Sequence, residues 1–294
     1  MNFLYKTHQK KKHPRTSKGD FMFSLRYGIY LFLVFISSSA LASDAVSPMT
    51  VPKQETLKEA FGHHHGCFIL TRCKDGKTIE FNHAGCDEKL PPCSTFKIWN
   101  SLIGLETKLI DSPDAPFYKW DGEKRFMPEW NKDLTLREAF RVSCVPPFQA
   151  LARNIGAKRM QDWIDKIDYG DRNTSAGIDK FWLTSSSKHP ILITPRQQVE
   201  LLKKLLADKL PFSARSRAVL EDIMLVKKLD HGNLYGKTGS GIDKSGNYVL
   251  GWFVGFLRYD DETYVFACTL QGPKLSGKEA RATVETIITK TGWH

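Results

Sequence analysis

Two short motifs, far apart in the sequence, constrain this chain more than any other feature. Ser94 begins an apolar stretch with helical periodicity, and Lys97 follows three residues later. In a helix this spacing places both side chains on one face, a turn apart. The second motif, Lys237-Thr238-Gly239, lies on a predicted strand just before a turn. Either motif alone occurs often by chance, so their combination and order carry the argument.

The residue types in these motifs suit nucleophilic catalysis. A serine hydroxyl is a weak nucleophile unless a base lies beside it, and Lys97 is the candidate base. Backbone N–H groups at a helix start also stabilise a developing oxyanion. On the strand, Gly239 lets a substrate lie against the strand edge, while Lys237 and Thr238 offer a cation and a hydroxyl to a carboxylate. The two motifs together favour acyl transfer through Ser94.

The apolar pattern around the motifs predicts an α+β fold. A hairpin comes first, then the helix after Ser94, and then a Trp-rich region at roughly residues 112–190, broken by Pro and Gly, that holds short helices. We therefore expect an antiparallel sheet flanked by terminal helices, with an all-helical lobe inserted in it. The predicted helices are Leu134–Val142, Arg159–Ile167, Pro195–Leu206 after an N-cap at Thr194, and Gly277–Lys290; the late strands are Leu234–Thr238, Tyr248–Leu257 and Thr263–Leu270.

Asp75-Gly76 between apolar runs is a strong hairpin signal. If these two residues form the turn, Lys74 pairs with Lys77. In that register Cys67 lies opposite Ala84, two residues before Cys86. Export to an oxidising compartment would permit a disulfide bond. We therefore expect a bridge between Cys67 and Cys86.

The first 42 residues have the pattern of a secretory signal peptide. Arg26 precedes an apolar run, Tyr27–Ile36, and small residues follow, ending in Ala40-Leu41-Ala42. The apolar run is too short for a membrane span. Met22 begins a signal peptide of ordinary length, so we expect it to be the true initiator. The mature protein would be a periplasmic chain without stable membrane insertion, forming one catalytic domain over residues 43–294.

The basic net charge of +11 belongs largely to this segment, whose removal leaves +5. No nucleic-acid-binding motif accompanies the remaining charge, so we expect no nucleic-acid partner. His63-His64-His65 does not indicate a metal, because consecutive residues in an extended segment point to alternate faces. The sequence also has no H-E-x-x-H motif, and we expect no metal site.

The middle of the chain identifies the family. S-x-x-K followed by K-T-G is shared by penicillin-recognising serine enzymes. No S-D-N motif lies between them. Together, six ordered motifs covering nearly the whole mature chain resemble those of the class D, oxacillinase-type β-lactamases: Ser-Thr-Phe-Lys at 94–97, Ser-x-Val at 143–145, Tyr-Gly-Asp at 169–171, Phe-Trp-Leu at 181–183, Lys-Thr-Gly at 237–239 and Gly-Trp-Phe-Val-Gly at 251–255.

The resemblance implies hydrolysis of the β-lactam amide through a serine acyl-enzyme, which confers antibiotic resistance. Ser94 would be the nucleophile, and Ser143 would pass a proton to the β-lactam nitrogen. Lys97 would carry a carbamate made from CO2, as N6-carboxylysine, and act as general base. No other cofactor is implied. The substrate would be bound by Lys237, Thr238, Gly239, Ser240 and Arg281, with the backbone N–H groups of Ser94 and Ser240 forming the oxyanion hole.

The physical chemistry of Lys97 agrees with this role. An exposed lysine has a pKa of about 10.4 and cannot accept a proton at neutral pH. Burial lowers that pKa by as much as about 3–5 units, and the neutral amine then reacts with CO2. The resemblance places Trp182 as a hydrogen-bond donor to the carbamate, in apolar surroundings formed by Val145, Phe148 and Leu183.

Two residues depart from the family pattern. Asp171 stands where the family usually has Asn, which adds a charge and puts any amide contact there in doubt. Cys93, just before Ser94, replaces a small apolar residue. We expect Cys93 and Cys144 to remain reduced, since both lie beside candidate catalytic groups.

Two other functions remain open from the sequence: a non-hydrolytic penicillin-binding sensor domain, and a cell-wall D,D-peptidase. The sensors are joined to membrane spans and a protease region that we do not find here. The Tyr-Gly-Asp and Phe-Trp-Leu motifs disfavour the peptidase. The sequence leaves the preferred β-lactams open, and it leaves open whether the protein is a monomer or a homodimer.

Overall fold

The computed structural model describes residues 51–184 and 189–293. The helices in these ranges are α1 (Gln54–Phe61), α2 (His83–Cys86), α3 (Lys97–Glu106), α4 (Leu136–Arg141), α5 (Val145–Ile155), α6 (Ala157–Ile167), α7 (Pro195–Leu206), α8 (Ala214–Met224) and α9 (Gly277–Lys290). The strands are β1 (His65–Arg72), β2 (Thr78–Phe81), β3 (Pro116–Tyr118), β4 (Leu134–Thr135), β5 (Leu225–Leu229), β6 (Gly232–Ile242), β7 (Tyr248–Tyr259) and β8 (Glu262–Gln271).

Six of the strands form one antiparallel sheet in the order β2-β1-β8-β7-β6-β5, and β3 pairs separately with β4. The central strands β7 and β8 are buried at every position within Leu250–Leu257 and Tyr264–Leu270. Burial of successive residues means that both faces of the sheet are covered, because side chains alternate between faces along a strand. The predicted α+β class, with an antiparallel sheet between helical layers, is confirmed.

The two faces of the sheet are covered by different parts of the chain. On one face, α1 and α9 bury Leu57, Phe61 and Val284 against Phe253 and other residues of the sheet. The other face carries a larger apolar core built from α3 and the helices that follow it up to α8. These helices lie between β2 and β5 in sequence, so the helical part of the molecule is inserted between strands of one sheet.

Capping residues fix several helix starts at the positions that the sequence indicated. Thr194 caps α7 and forms a capping box with Gln197, and Pro195 occupies the first turn. Ser276 and Glu279 do the same for α9, whose bounds match the predicted helix. The predicted helix from Leu134 is shorter than expected. Leu134 and Thr135 pair with β3, and Thr135 then caps α4.

Helix α5 was not predicted. Pro146 and Pro147 suggested a break in the chain, but both lie in the first turn of the helix, where a proline costs no internal hydrogen bond. The consequence is functional, because α5 carries Phe148 into the core beneath the α3 helix.

The predicted hairpin register is wrong by two residues. Thr71 pairs with Thr78, and four residues rather than two form the turn. The wider turn is stabilised by Asp75, whose carboxylate accepts hydrogen bonds from the Arg72 guanidinium and the Lys77 backbone N–H. The Cys67–Cys86 bridge is nevertheless present, because α2 folds back after β2 and brings the two Cα atoms to 5.3 Å.

The predicted signal peptide, including Met22, lies outside the described residues. Within the described part of the chain, we find no helix with the length and apolar character that a membrane span requires.

Candidate active site

The site forms where β6 passes the start of the helix that carries Ser94. A single 3-10 turn, Cys93–Phe96, leads directly into α3. Gly239 lies against this turn so closely that a Cβ atom there would be 2.9 Å from the Pro92 carbonyl oxygen and 3.1 Å from Thr95 Cγ2. Only glycine allows this approach, and it brings the Ser-x-x-Lys and Lys-Thr-Gly motifs together.

Ser94 and Lys97 are in direct contact. The Lys97 Nζ donates to Ser94 Oγ at 2.8 Å, as the one-turn spacing predicted. The Lys97 side chain is fully buried, and desolvation lowers its pKa to about 7. Electrostatic interaction with Cys144 and Cys93 opposes this shift only in part. At neutral pH a large fraction of Lys97 is therefore an unprotonated amine, which can act as a base or react with CO2.

Ser143 is held by the second buried lysine of the site. Lys237 Nζ donates to Ser143 Oγ at 2.9 Å and to the Thr238 carbonyl oxygen at 2.9 Å. Burial lowers the pKa of Lys237 well below its usual value, and the charge of Lys97 lowers it further. Ser143 itself has a left-handed backbone with φ of 56°, a conformation that costs energy for any residue with a Cβ.

The lysine pair is surrounded by apolar groups. Lys97 Nζ lies 5.2 Å from the centre of the Phe148 ring. Phe148 and Trp182 are fully buried, while Val145 and Leu183 are half-buried. The Trp182 ring stacks on Phe96, with ring centres 5.4 Å apart. The Phe148 ring thus contributes to the desolvation of Lys97.

Trp182 has an unpaired donor, as Trp99 and Trp293 also do, but Trp182 stacks on the aromatic residue next to Lys97. Its indole Nε1 is buried and has no hydrogen-bond partner among the described residues. An unpaired buried donor is costly, so it points to an acceptor that belongs in this space. An anion on Lys97 would supply that acceptor, and it would also balance the charge of Lys237. The residues present therefore fit a carbamate on Lys97.

The residues that the family resemblance assigns to substrate binding line one side of the site. Lys237, Thr238 and Arg281 all border a cavity of about 330 Å³. The Arg281 Nε donates to Glu285 at 2.8 Å, and the side chain is partly exposed. Ser240 is exposed, and its Oγ accepts a hydrogen bond from the backbone N–H of Gly277 at 3.0 Å.

Cys93 and Cys144 are free thiols, as expected, and both are buried. Burial raises the pKa of each thiol to about 12, so neither is a reactive thiolate at neutral pH. Cys93 also has a positive φ of 51° directly before Ser94. It therefore acts as a small packed side chain in a strained turn.

Asp171 has a structural task in its own loop. Its carboxylate accepts hydrogen bonds from the backbone N–H groups of Leu192 at 3.1 Å and Asn173 at 3.2 Å. An asparagine oxygen could accept the same two bonds, so the replacement of Asn by Asp leaves these contacts intact. The side chain is exposed, which limits the effect of its charge on the buried lysines.

Sequence reasoning missed a buried hydrogen-bond chain behind Ser94. Gln198 Nε2 donates to Thr95 Oγ1 at 2.9 Å, and Thr95 Oγ1 donates to the Pro92 carbonyl at 2.7 Å. The Trp252 indole donates to the Pro91 carbonyl at 2.9 Å. These bonds fix the turn that presents Ser94. They join residues far apart in sequence, and no local pattern marks them.

Comparison with known proteins agrees with this geometry. Residues 52–290 match the penicillin-binding protein transpeptidase domain. The chain is 38% identical over 267 residues to a probable β-lactamase, YbxI, of Bacillus subtilis, covering 90% of this chain and 93% of the relative. It is 35% identical over 263 residues to β-lactamase OXA-10 of Pseudomonas aeruginosa, covering 89% and 96%. The solved class D β-lactamase BAT-2 superposes with a TM-score of 0.75 at 36% identity, covering 81% of this chain and 96% of that one.

The fold and the paired motifs thus define a serine enzyme with the penicillin-binding transpeptidase architecture. Within that group, the chain belongs to the class D β-lactamases, which hydrolyse β-lactams through a serine.

Proposed function

We propose that Ser94 attacks the β-lactam carbonyl and forms an ester that is then hydrolysed, with Lys97 as the residue that controls both steps. The observation that carries this proposal is the buried Lys97 amine, with a pKa of about 7, in hydrogen-bond contact with the Ser94 hydroxyl. A base at this place is what a serine nucleophile requires.

Lys97 is the proposed site of a carbamate, N6-carboxylysine, formed from CO2. When present, that group would supply a carboxylate oxygen as the general base for both steps. The chain's own residues prepare the place for it. Phe148 and Trp182 keep water away from the amine, so that it is neutral and can add to CO2, and the unpaired Trp182 N–H offers a hydrogen bond to the product. Val145 and Leu183 complete the apolar border.

Ser143 is the proposed proton carrier to the β-lactam nitrogen. Its hydroxyl accepts a hydrogen bond from Lys237, which leaves its own proton available for donation to the leaving nitrogen. Because Lys237 is buried and its pKa is lowered, the lysine can replace that proton with a small energetic cost.

The remaining residues orient the substrate. The β6 edge at Gly239 and Ser240 would receive the β-lactam, and the backbone N–H groups of Ser94 and Ser240 would stabilise the oxyanion. The ring carboxylate would lie near Lys237, Thr238 and Arg281, which share one cavity. No metal is needed in this scheme.

We further propose that residues 1–42 direct export to the periplasm and that the mature domain begins at Ser43, acting as a monomer or homodimer without nucleic-acid partners. The support is the sequence pattern that ends in Ala40-Leu41-Ala42. Identification of an intact Tyr27–Ala42 segment by N-terminal sequencing of the exported protein would contradict this.

The test of function compares three outcomes on the purified mature protein. A hydrolytic enzyme gives repeated turnover of a chromogenic cephalosporin and of a penicillin. A sensor domain gives one burst equal to the enzyme concentration, and a D,D-peptidase cleaves a cell-wall peptide instead. We expect sustained turnover and no peptide cleavage. A single burst would reject the hydrolytic proposal.

A further inference from the structure

The cavity beside Lys237 and Thr238 extends beyond the residues that the proposed mechanism uses. Strand β5 pairs with β6 only over Gly232–Tyr235. From Gly236 onwards, this edge of β6 has no strand partner among the described residues. The cavity of about 330 Å³ lies at this open edge and is closed by α4, by the end of α8 and by α9. A substrate on β6 therefore has room for a group beyond its ring carboxylate.

The charges around this cavity are unbalanced. Its lining contains three arginines, Lys237 and one carboxylate, that of Asp222. Arg137 is neutralised twice, by Asp114 and Asp222, and Arg281 is paired with Glu285. Arg141, at the last turn of α4, forms no ion pair with any carboxylate of the described residues. Among the described residues Lys237 has no ion pair either, but the proposed function assigns it to the ring carboxylate. Glu138, one turn before Arg141 in α4, interacts with Arg141 without forming an ion pair, so Arg141 is the lining arginine that is left for a further anion.

Part of the wall is apolar. Phe140, Ile223 and Met224 are buried, and Leu225 is 40% exposed. Apolar side chains beside a guanidinium without an ion pair suit a group that has an aliphatic or aromatic body and an anionic end. A fully polar anion would leave the apolar surface without a partner.

We propose that this cavity is a second anion subsite and that Arg141 is a specificity-determining residue for β-lactams with an acidic group next to the ring carboxylate. This rests on the proposed function, which places the ring carboxylate by Lys237, Thr238 and Arg281. In a cephalosporin the C3 substituent is adjacent to the carboxylate-bearing carbon, so an acidic C3 substituent meets this geometry. The favoured substrates are therefore cephalosporins whose C3 group ends in a carboxylate.

The test compares two competitors that share one nucleus, a cephalosporin with a C3 carboxylate and its C3 carboxamide. Each inhibition constant is measured against hydrolysis of a penicillin. In the unsubstituted enzyme the carboxylate should bind about two- to fivefold more tightly, as expected for one exposed ion pair. Arg141→Gln should bring this ratio near one, and Arg141→Lys should keep most of it.

Lys228→Gln is the matched control, because it removes the same charge from an exposed residue of β5 that does not line the cavity. It should preserve the ratio. A ratio that survives in Arg141→Gln, or that falls equally in Lys228→Gln, would overturn the subsite. If the unsubstituted enzyme hydrolyses no penicillin, the proposed function fails instead, and this result is distinct from a loss of selectivity.

Discussion

At the scale of single residues, the account depends on the burial of Lys97. The amine is within hydrogen-bond distance of Ser94 and lies against the Phe148 ring, with no carboxylate beside it among the groups that perturb its pKa. A second cation, Lys237, is buried in the same region. Burial of both amines disfavours their protonation together, and a negative group on Lys97 would stabilise the charged form of Lys237.

Ser94→Ala should abolish both turnover and the covalent mass shift on incubation with a penicillin. The fold should persist, because the change removes only a hydroxyl, which accepts a hydrogen bond from Lys97. Ser101→Ala in α3, which follows the turn that carries Ser94, is a matched control that should keep the adduct. An adduct that remained in Ser94→Ala would assign the nucleophile to another residue.

Trp182→Ala should slow deacylation by about 100-fold, the usual effect of removing one donor from a catalytic anion, so that acylated enzyme accumulates. Trp182→Phe separates the two roles of the side chain, because it keeps the stacking on Phe96 and removes only the N–H. Rapid-quench mass spectrometry gives the acylated fraction. If Trp182→Phe deacylates at the unsubstituted rate, the indole donor has no part in the mechanism.

At the scale of elements, local sequence patterns predicted helix starts and short-range contacts better than strand register and tertiary contacts. The one-turn spacing of Ser94 and Lys97 predicted their contact, and Thr194 and Pro195 predicted the start of α7. The hairpin register could not be obtained in the same way, because the Asp75 carboxylate stabilises a wider turn than Asp-Gly alone favours. The Gln198–Thr95 contact depends on tertiary packing between distant segments.

The Cys67–Cys86 bridge ties β1 to α2 over a separation of 19 residues. Its removal in a Cys67→Ser, Cys86→Ser double variant should lower the free energy of unfolding by about 3 kcal/mol, through the greater entropy of the unfolded chain. Thermal melting gives the change. Cys73→Ser, which alters an exposed free thiol, should melt as the unsubstituted protein does. A double variant that melts at the same temperature would show that the bridge adds no stability.

At the scale of the whole molecule, the fold's main task is to join two distant parts of the chain. The segment inserted between β2 and β5, with its helices and turns, supplies Ser94, Lys97, Ser143 and Trp182. The sheet supplies the Lys237 segment. The α+β fold class and the sheet covered by helices could be predicted from the hydrophobic periodicity and the order of the motifs. The distances within the site did not, because they depend on the close approach of Gly239 to the turn at Pro92.

The pH dependence of Lys97 gives the most direct test of the central claim. The folded enzyme lowers the pKa of this amine to about 7, so below that pH the lysine is protonated and cannot hold CO2. Raising the pH through this value frees the amine. Enzyme prepared at acid pH in CO2-free buffer and then returned to pH 7.5–8 (about one unit above that pKa) should hydrolyse penicillin poorly until bicarbonate is added.

The decisive measurement is the penicillin turnover rate of this enzyme with and without added bicarbonate. The account predicts that bicarbonate restores turnover in the unsubstituted enzyme and has no effect on Lys97→Ala. Full turnover in the absence of CO2, unchanged by bicarbonate, would contradict it and would assign the base to the free Lys97 amine.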